Sequence, residues 1–254
     1  MIDFLNDEDL HIQIDALECV TEILDQLNQE QIDEVYIPCL INFIDLDNLL
    51  GQVDINQRIA ELFGSVVANL KAVNLHLKYK NEIINYYKGL CENKEEPLRF
   101  QAVYILPCMN LVYKSVEKEM DIDFQELYLR FSEDPDYEVR KCIATSLHEA
   151  FRLVSDDEDT TQLRKVFYSY ILDNNREIIL IINRNLDIMI EKYGNKHTLA
   201  NFKGRTPYVE CLSSNDGGSR DNTPKSKPVQ KSDTMLDFST GVALVGKKKM
   251  LTKK

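Results

Sequence analysis

The sequence predicts an all-α protein, an α-α superhelix (solenoid) of about five helical pairs. Three observations carry this prediction. The start of a helix, with an apolar anchor just after a polar or acidic turn, recurs five times along the chain. The anchors are 43, 43, 41 and 40 residues apart: Ile12, Ile55, Leu98, Val139 and Ile179. A two-helix repeat of roughly 40–47 residues is typical of helical solenoids. No segment sustains the apolar–polar alternation of a half-buried strand.

Apolar residues at helical spacing predict the elements in chain order. The ranges are 9–28, 30–44, 54–72, 76–92, 97–114, 121–132, 137–154, 158–172 and 176–193. Their apolar faces begin at Ile12, Ile32, Ile55, Leu77, Leu98, Ile122, Val139, Leu163 and Ile179. Pro107 lies inside the fifth helix and predicts a bend near 103–106, since proline removes a backbone hydrogen bond. Gly64 predicts a close contact between helices.

The helical pattern stops near Gly194, a residue suited to ending a helix. We therefore expect a solenoid over residues 1–195 and a flexible basic tail over residues 196–254. Two stretches of this tail, 213–219 and 223–228, are polar and rich in glycine, serine and proline, and cannot bury enough apolar surface to order themselves. The net charge of −12 divides into −19 for residues 1–195 and +7 for the tail.

Charge and composition exclude several classes of ligand. The acidic body argues against nucleic acid, because phosphate binding needs clusters of lysine and arginine. A basic protein surface is the more plausible partner. No apolar run approaches the roughly 18 residues that a membrane helix needs, and the acidic opening is unlike a secretory signal. We therefore expect no membrane partner and a location in the cytosol or nucleus.

The six cysteines form no C-x-x-C pair. Cys19, Cys39, Cys91, Cys108 and Cys142 fall in predicted helices and are expected to be buried thiols in a reducing compartment.

Catalytic patterns are missing from the sequence. It contains no glycine-rich phosphate loop, no G-x-S-x-G and no H-E-x-x-H. The four histidines are widely spread, and His148 followed by Glu149 is interpreted as an interhelix or surface pair. We expect no enzyme, no cofactor, no metal and no small-molecule substrate.

The turns within the helical pairs are acidic: residues 6–9, 45–54, 94–96, 132–136 and 173–175. Equivalent turns of a solenoid stack along one edge, which predicts a negative, partner-binding ridge. Its residues are Glu95, Glu96, Glu133, Asp134 and Asp136. The alternative is helix capping, which explains one acid per turn, although some turns carry three. Arg99 and Arg140 either contact the partner or, as we favour, reach a neighbouring acidic turn and tie the repeats together.

Three segments resemble a known family. Residues Asp134–Ala144 resemble the D-P-x-x-x-V-R-x-x-x-A signature of HEAT repeats in protein phosphatase scaffolds. Residues Glu96–Pro107 resemble a repeat in the regulatory subunits of protein phosphatase 4, and the Asp54–Gly64 and Asp134–Val154 blocks continue the match in register. The resemblance covers about residues 8–193. Family members have more repeats, so this chain is expected to be either a fragment or a short divergent member.

The resemblance implies a non-catalytic scaffold that binds a Ser/Thr phosphatase catalytic subunit through its intra-repeat turns. The metallophosphatase motifs G-D-x-H-G and G-N-H-E are missing, so the chain is not expected to be the catalytic subunit. The alternative is a transport or assembly adaptor, importin-like or clathrin-adaptor-like, that binds basic cargo segments. The lack of tryptophan weakens an adaptor with Trp-Asn ladders, whereas the acidic turns keep a basic-cargo adaptor open.

Overall fold

The computed structural model describes residues 2–45, 53–155, 157–172, 175–186 and 188–189. These residues are helical and contain no strand. The helices are α1 (Leu10–Glu22), α2 (Gln29–Gln31), α3 (Ile37–Ile44), α4 (Val53–Ala72), α5 (Lys80–Cys91), α6 (Glu96–Tyr113), α7 (Phe124–Ser132), α8 (Tyr137–Leu153), α9 (Thr161–Ile171) and α10 (Arg176–Arg184). A π-helical segment (Ile32–Tyr36) joins α2 to α3, and 3-10 turns cover Ile2–Asn6, Leu24–Gln26 and Lys114–Val116.

The helices form two layers. The second helices of the repeats, α1, α4, α6, α8 and α10, pack side by side in that order. In the other layer α3 packs on α5 and α7 packs on α9. Within repeats, α5 packs on α6, α7 on α8 and α9 on α10, and the 3-10 turn Ile2–Asn6 packs on α1. The predicted all-α solenoid is confirmed over the described residues.

Tyrosine side chains fill much of the core between the layers. Tyr36, Tyr87 and Tyr170 are buried, and each hydroxyl is hydrogen-bonded. Tyr87 donates to the carbonyl oxygen of Ala102 at 3.2 Å, and Tyr170 donates to that of Arg140 at 2.8 Å. A buried tyrosine contributes a large apolar area only if its hydroxyl finds a partner. These bonds therefore fix α5 on α6 and α9 on α8 as well as filling space.

The predicted apolar face of the first helix is partly wrong. Ile12 is 41% exposed, whereas Ile14, Leu17 and Val20 are buried. The helix also ends at Glu22 rather than at residue 28. The reason is that α1 has apolar residues on two adjoining sides, and packing against α4 selects the side that contains Ile14. Among the other anchors, Leu98 and Val139 are buried, but Ile55 and Ile179 are only partly buried.

A proline and a glycine lie within the two central helices of the row, Pro107 in α6 and Gly64 in α4. α6 runs without interruption through Pro107, which is buried. A Cβ atom added at Gly64 of α4 would lie 3.0 Å from Cγ2 of Ile105 in α6. The predicted close contact at Gly64 is therefore confirmed, and it sets how closely the second helices of repeats two and three approach.

Three of the five described cysteines match the predicted burial. Cys39, Cys91 and Cys108 are buried, Cys142 is half-buried, and Cys19 is exposed, against expectation. All five are free thiols. Gly194 and the tail predicted for residues 196–254 lie outside the described residues.

Candidate partner-binding edge

Arg99 joins the intra-repeat turns of repeats three and four. Its Nε donates to Oδ2 of Asp134 at 2.9 Å and its Nη2 donates to Oδ1 at 3.1 Å. Its Nη1 donates to the carbonyl oxygens of Asn93 at 3.3 Å and Lys94 at 2.7 Å. The Arg99 guanidinium thus hydrogen-bonds both to its own turn and to the turn of the next repeat. The predicted role of Arg99 as a tie between repeats agrees with this geometry.

The turn before α8 is held by its own charged residues. Asp134 is buried, and its Oδ1 also accepts the backbone N–H of Asp136 at 2.9 Å. Asp136 caps α8 by accepting the N–H of Glu138 at 2.8 Å. Arg140 donates to the carbonyl oxygens of Asp134 at 2.7 Å and Pro135 at 2.9 Å. Arg140 therefore secures its own turn. Residues 173 and 174 of the neighbouring turn, which Arg140 is predicted to reach, lie outside the described residues.

The pKa values of two carboxylates on this edge are shifted in opposite directions. Burial works to raise the pKa of Asp134, but the hydrogen bonds from Arg99 and the Asp136 amide outweigh it, so that pKa is lowered. Burial raises the pKa of Glu96, and the negative charge of Asp136 raises it further. Glu96 starts α6 in repeat three, while Asp136 belongs to repeat four. The acids of the two turns are therefore brought together, as the stacking argument predicts.

Glu95 and Glu133 differ from the other three acids. Both side chains are exposed, and neither has a hydrogen-bond or ion-pair partner within the part of the chain that the structure describes. Asp134 and Asp136 stabilise the turn, so capping accounts for them. Capping does not account for Glu95 and Glu133. The predicted ridge is thus two structural aspartates flanked by the exposed carboxylates of Glu95 and Glu133, with the half-buried Glu96 beside them.

The acids of the first turn serve its backbone. Asp9 caps α1 by accepting the N–H of His11 at 2.8 Å, and Asp7 accepts the N–H of Asp9 at 2.9 Å. Residues 46–52 of the second turn and 173–174 of the fifth lie outside the described residues. The ridge is therefore defined by repeats three and four.

Sequence reasoning missed a series of ion pairs between successive repeats. Lys78 pairs with Asp33 at 2.8 Å and Lys114 with Glu158 at 2.8 Å, over 45 and 44 residues of sequence. Further pairs are Arg58 with Asp15, Lys80 with Glu119 and Lys141 with Glu177. Most of these partners lie about one repeat apart, so a search for opposite charges at the repeat interval would have found them.

The remaining candidate chemistry is sparse. Nε2 of His148 lies 2.8 Å from Glu149, which also accepts from Arg152 at 2.7 Å, so His148 belongs to a small polar cluster on α8. Among the described residues no group of three histidine, cysteine or acidic side chains could hold a metal ion. No described helix has the length and apolar character needed to cross a membrane.

Comparison with known proteins identifies the fold alone. No protein-family model matches the sequence, and no curated protein matches it at a significant level. The crystal structure of Cex1p is similar over 76% of this chain, with a TM-score of 0.57 and 12% identity. This chain spans about a third of that protein, 36% of its length. Two engineered proteins match over 84% of the chain at 12% and 14% identity, with TM-scores of 0.49.

Proposed function

We propose that this protein is a non-catalytic regulatory or scaffold subunit that binds a Ser/Thr protein phosphatase catalytic subunit, of the protein phosphatase 4 type, through its intra-repeat turns. The observation that carries the proposal is the outward pair Glu95 and Glu133, supported on adjacent turns with no internal partner in the described part of the chain. The resemblance of residues 96–107 and 134–154 to phosphatase regulatory subunits begins within the same two turns, directly after Glu95 and Glu133.

The edge suits a folded partner because its geometry is fixed before binding. Arg99 ties the two turns through four hydrogen bonds, two to the carbonyl oxygens of its own turn and a bidentate pair to Asp134. A turn backbone that is already fixed loses little freedom on association, which favours affinity. Exposed carboxylates of this kind mainly raise the association rate and select a basic surface. No cofactor, metal or nucleic acid enters this proposal.

The test reverses the outward charges and leaves the structural ones intact. The triple variant E95K/E96K/E133K is compared with the matched control E30K/E34K/E82K, whose glutamates are exposed on the opposite layer. Both variants change the net charge equally. Binding to purified protein phosphatase 4 catalytic subunit is measured by surface plasmon resonance at two salt concentrations. We expect the ridge variant to bind at least about tenfold more weakly, mostly through a slower association rate.

The control variant is expected to bind like the unmodified protein. Equal binding by all three proteins, with the same salt dependence, contradicts the proposal and leaves the acids as solvated turn residues. If the ridge variant loses binding to a lysine-rich peptide but the phosphatase subunit never binds, the adaptor for basic cargo replaces the phosphatase scaffold. Circular dichroism of each variant checks that helicity is unchanged.

A further inference from the structure

The open side of α6 is apolar although it faces solvent. α6 is flanked by α4 and α8 and covered by α5, so one side of it remains open. Tyr104 and Leu111, two helical turns apart, are 41% and 37% exposed on that side. The segment from Phe100 to Tyr113 carries no charged side chain. A surface helix normally shows charged residues on its solvent side. The side chains of this face carry no charge, although Nζ of Lys71 in α4 donates to the carbonyl oxygen of Leu111 at 3.2 Å, so the face indicates a docked element.

Tyr104 also lies against the next helix of the row. Burial raises the pKa of its hydroxyl, and nearby Cys142 of α8 adds to this shift. Cys142 is itself half-buried. The apolar strip therefore extends from α6 toward α8. Its exposed part is Tyr104 and Leu111, with Cys142 at its side; we call these three residues the apolar strip.

An acidic groove lies on the other side of α4. It measures about 200 Å³ between α1 and α4 and is lined by Ile14 and Leu62 together with three exposed glutamates. These are Glu18, Glu22 and Glu61. Arg58 also lines the groove, but it pairs with Asp15, and Glu61 accepts a hydrogen bond from Gln57 at 3.0 Å. The groove therefore keeps a negative charge that is open to solvent.

The groove and the Tyr104 end of the apolar strip lie at one level of the row. Gly64 of α4 contacts Ile105 of α6, so Glu61 and Ser65 on α4 are level with Tyr104 on α6. Packed helices are 8–10 Å apart. The strip thus lies about one helix spacing beyond α4. An occupant must be apolar at one end and strongly basic at the other.

We propose that the occupant is residues 242–249 of this chain, docked across the row of second helices. Val242–Val245 is the longest apolar run after residue 195, and Lys247–Lys249 is the longest basic run there. They are separated by Gly246 alone. The apolar run covers Tyr104 and Leu111, and the lysines enter the groove beside Glu18, Glu22 and Glu61. The segment has an apolar part next to a basic part, as the surface has the apolar strip next to the acidic groove.

Chain length permits this contact within one molecule. Residues 190–241 separate the last described residue, Met189, from Val242. An unconstrained chain of that length has a root-mean-square span of about 40 Å. The groove is three to four helix spacings from α10, roughly 30–40 Å. A linker whose span matches the distance gives an effective concentration on the order of millimolar, so even a weak contact is occupied.

A single tryptophan reports on docking, because the sequence contains none. In the full chain we place it in the segment, Val245→Trp, and for comparison in the same tail outside the segment, Ser226→Trp. We expect the emission of V245W to be blue-shifted relative to S226W and independent of protein concentration. The reversal K247E/K248E/K249E in the V245W chain is expected to lower the docking constant about tenfold or more, since attraction becomes repulsion.

Two matched changes decide whether the contact is specific. The reversal K225E/K227E/K231E alters the net charge equally and should leave V245W emission unchanged. Adding E18K/E22K/E61K to the reversed segment should restore the blue shift. The proposal is overturned if V245W emits like S226W, or if both lysine reversals act alike. A blue shift that grows with protein concentration overturns it as well, since the occupant is then a second copy. None of these outcomes depends on phosphatase binding.

Discussion

The guanidinium of Arg99 donates two parallel hydrogen bonds to the carboxylate of Asp134, with Nε–Oδ2 and Nη2–Oδ1 distances of 2.9 and 3.1 Å. Their side chains are only 15% and 6% exposed. Arg99 belongs to repeat three, whereas Asp134 belongs to the turn of repeat four. In a solenoid each repeat contacts only its neighbours, so this largely buried pair helps to set the angle between repeats three and four.

Loss of Arg99 is expected to destabilise the centre of the solenoid. In Arg99→Met the carboxylate of Asp134 stays buried without its cation, and two carbonyl oxygens lose a donor. The free energy of unfolding should fall by about 2–3 kcal/mol. Lys141→Met is the control, because its pair with Glu177 is more exposed and is worth below about 1 kcal/mol. Urea unfolding followed by circular dichroism measures both; equal small losses contradict the prediction.

The same pair makes stability depend on pH. The pKa of Asp134 is lowered in the folded protein, so its stabilising effect is present above the unfolded pKa of about 3.9 and is lost as pH falls further. The difference in unfolding free energy between the wild type and Arg99→Met should therefore be largest near pH 7 and shrink below about pH 4. A difference that grows on acidification contradicts this sign.

The turn geometry explains why capping and binding were hard to separate from sequence. The pattern placed Glu95, Glu96, Glu133, Asp134 and Asp136 in two adjacent turns, and the turns do adjoin. Spacing along the chain does not determine which carboxylate points inward. That choice depends on Arg99, which lies 35 residues from Asp134 and reaches it only once α6 and α8 are packed.

The sequence predicts where the helices form better than it predicts which side of each helix is buried. Every predicted range overlaps an observed helix, because apolar spacing reports burial directly. Ile12 was assigned to the core and is exposed, since α1 offers two apolar sides and only contact with α4 selects one. The uncharged open side of α6 was missed for a related reason. All side chains from Phe100 to Tyr113 are uncharged, so only the placement of the neighbouring helices shows that Tyr104 and Leu111 are exposed.

Asp33 is expected to titrate at an unusually low pH. Lys78 and Gln29 donate hydrogen bonds to its carboxylate, as does the hydroxyl of Tyr79, and together they lower its pKa to about 2. Its stabilising contribution is therefore present above the unfolded pKa and lost as pH falls toward 2. Carbon-detected NMR titration of the Asp33 carboxyl measures this value directly. In Lys78→Met the pKa should rise, and an unchanged pKa would show that the lysine is not its main cause.

Thr21 and Tyr36 form a buried hydrogen bond whose two halves are not equivalent. The Thr21 hydroxyl donates to the carbonyl of Leu17 at 2.6 Å, so at 2.8 Å it accepts from Tyr36. Tyr36→Phe leaves Thr21 bonded to Leu17 and should cost about 1 kcal/mol. Thr21→Val leaves the Tyr36 hydroxyl buried and unpaired, and should cost more, about 1–3 kcal/mol. Thermal unfolding of both variants tests the order, which fails if Tyr36→Phe is the more damaging.

Gly64 is expected to tolerate one methyl group but not a branched side chain. Alanine gains about 1 kcal/mol of helix propensity over glycine, while its Cβ would press on Cγ2 of Ile105 at 3.0 Å. The two effects oppose each other, so Gly64→Ala should change the free energy of unfolding by less than about 1 kcal/mol. Gly64→Val adds atoms where α4 and α6 already touch and should cost about 1–3 kcal/mol. If Gly64→Val is as stable as Gly64→Ala, the two helices can separate freely, and the groove between α1 and α4 is not held level with Tyr104.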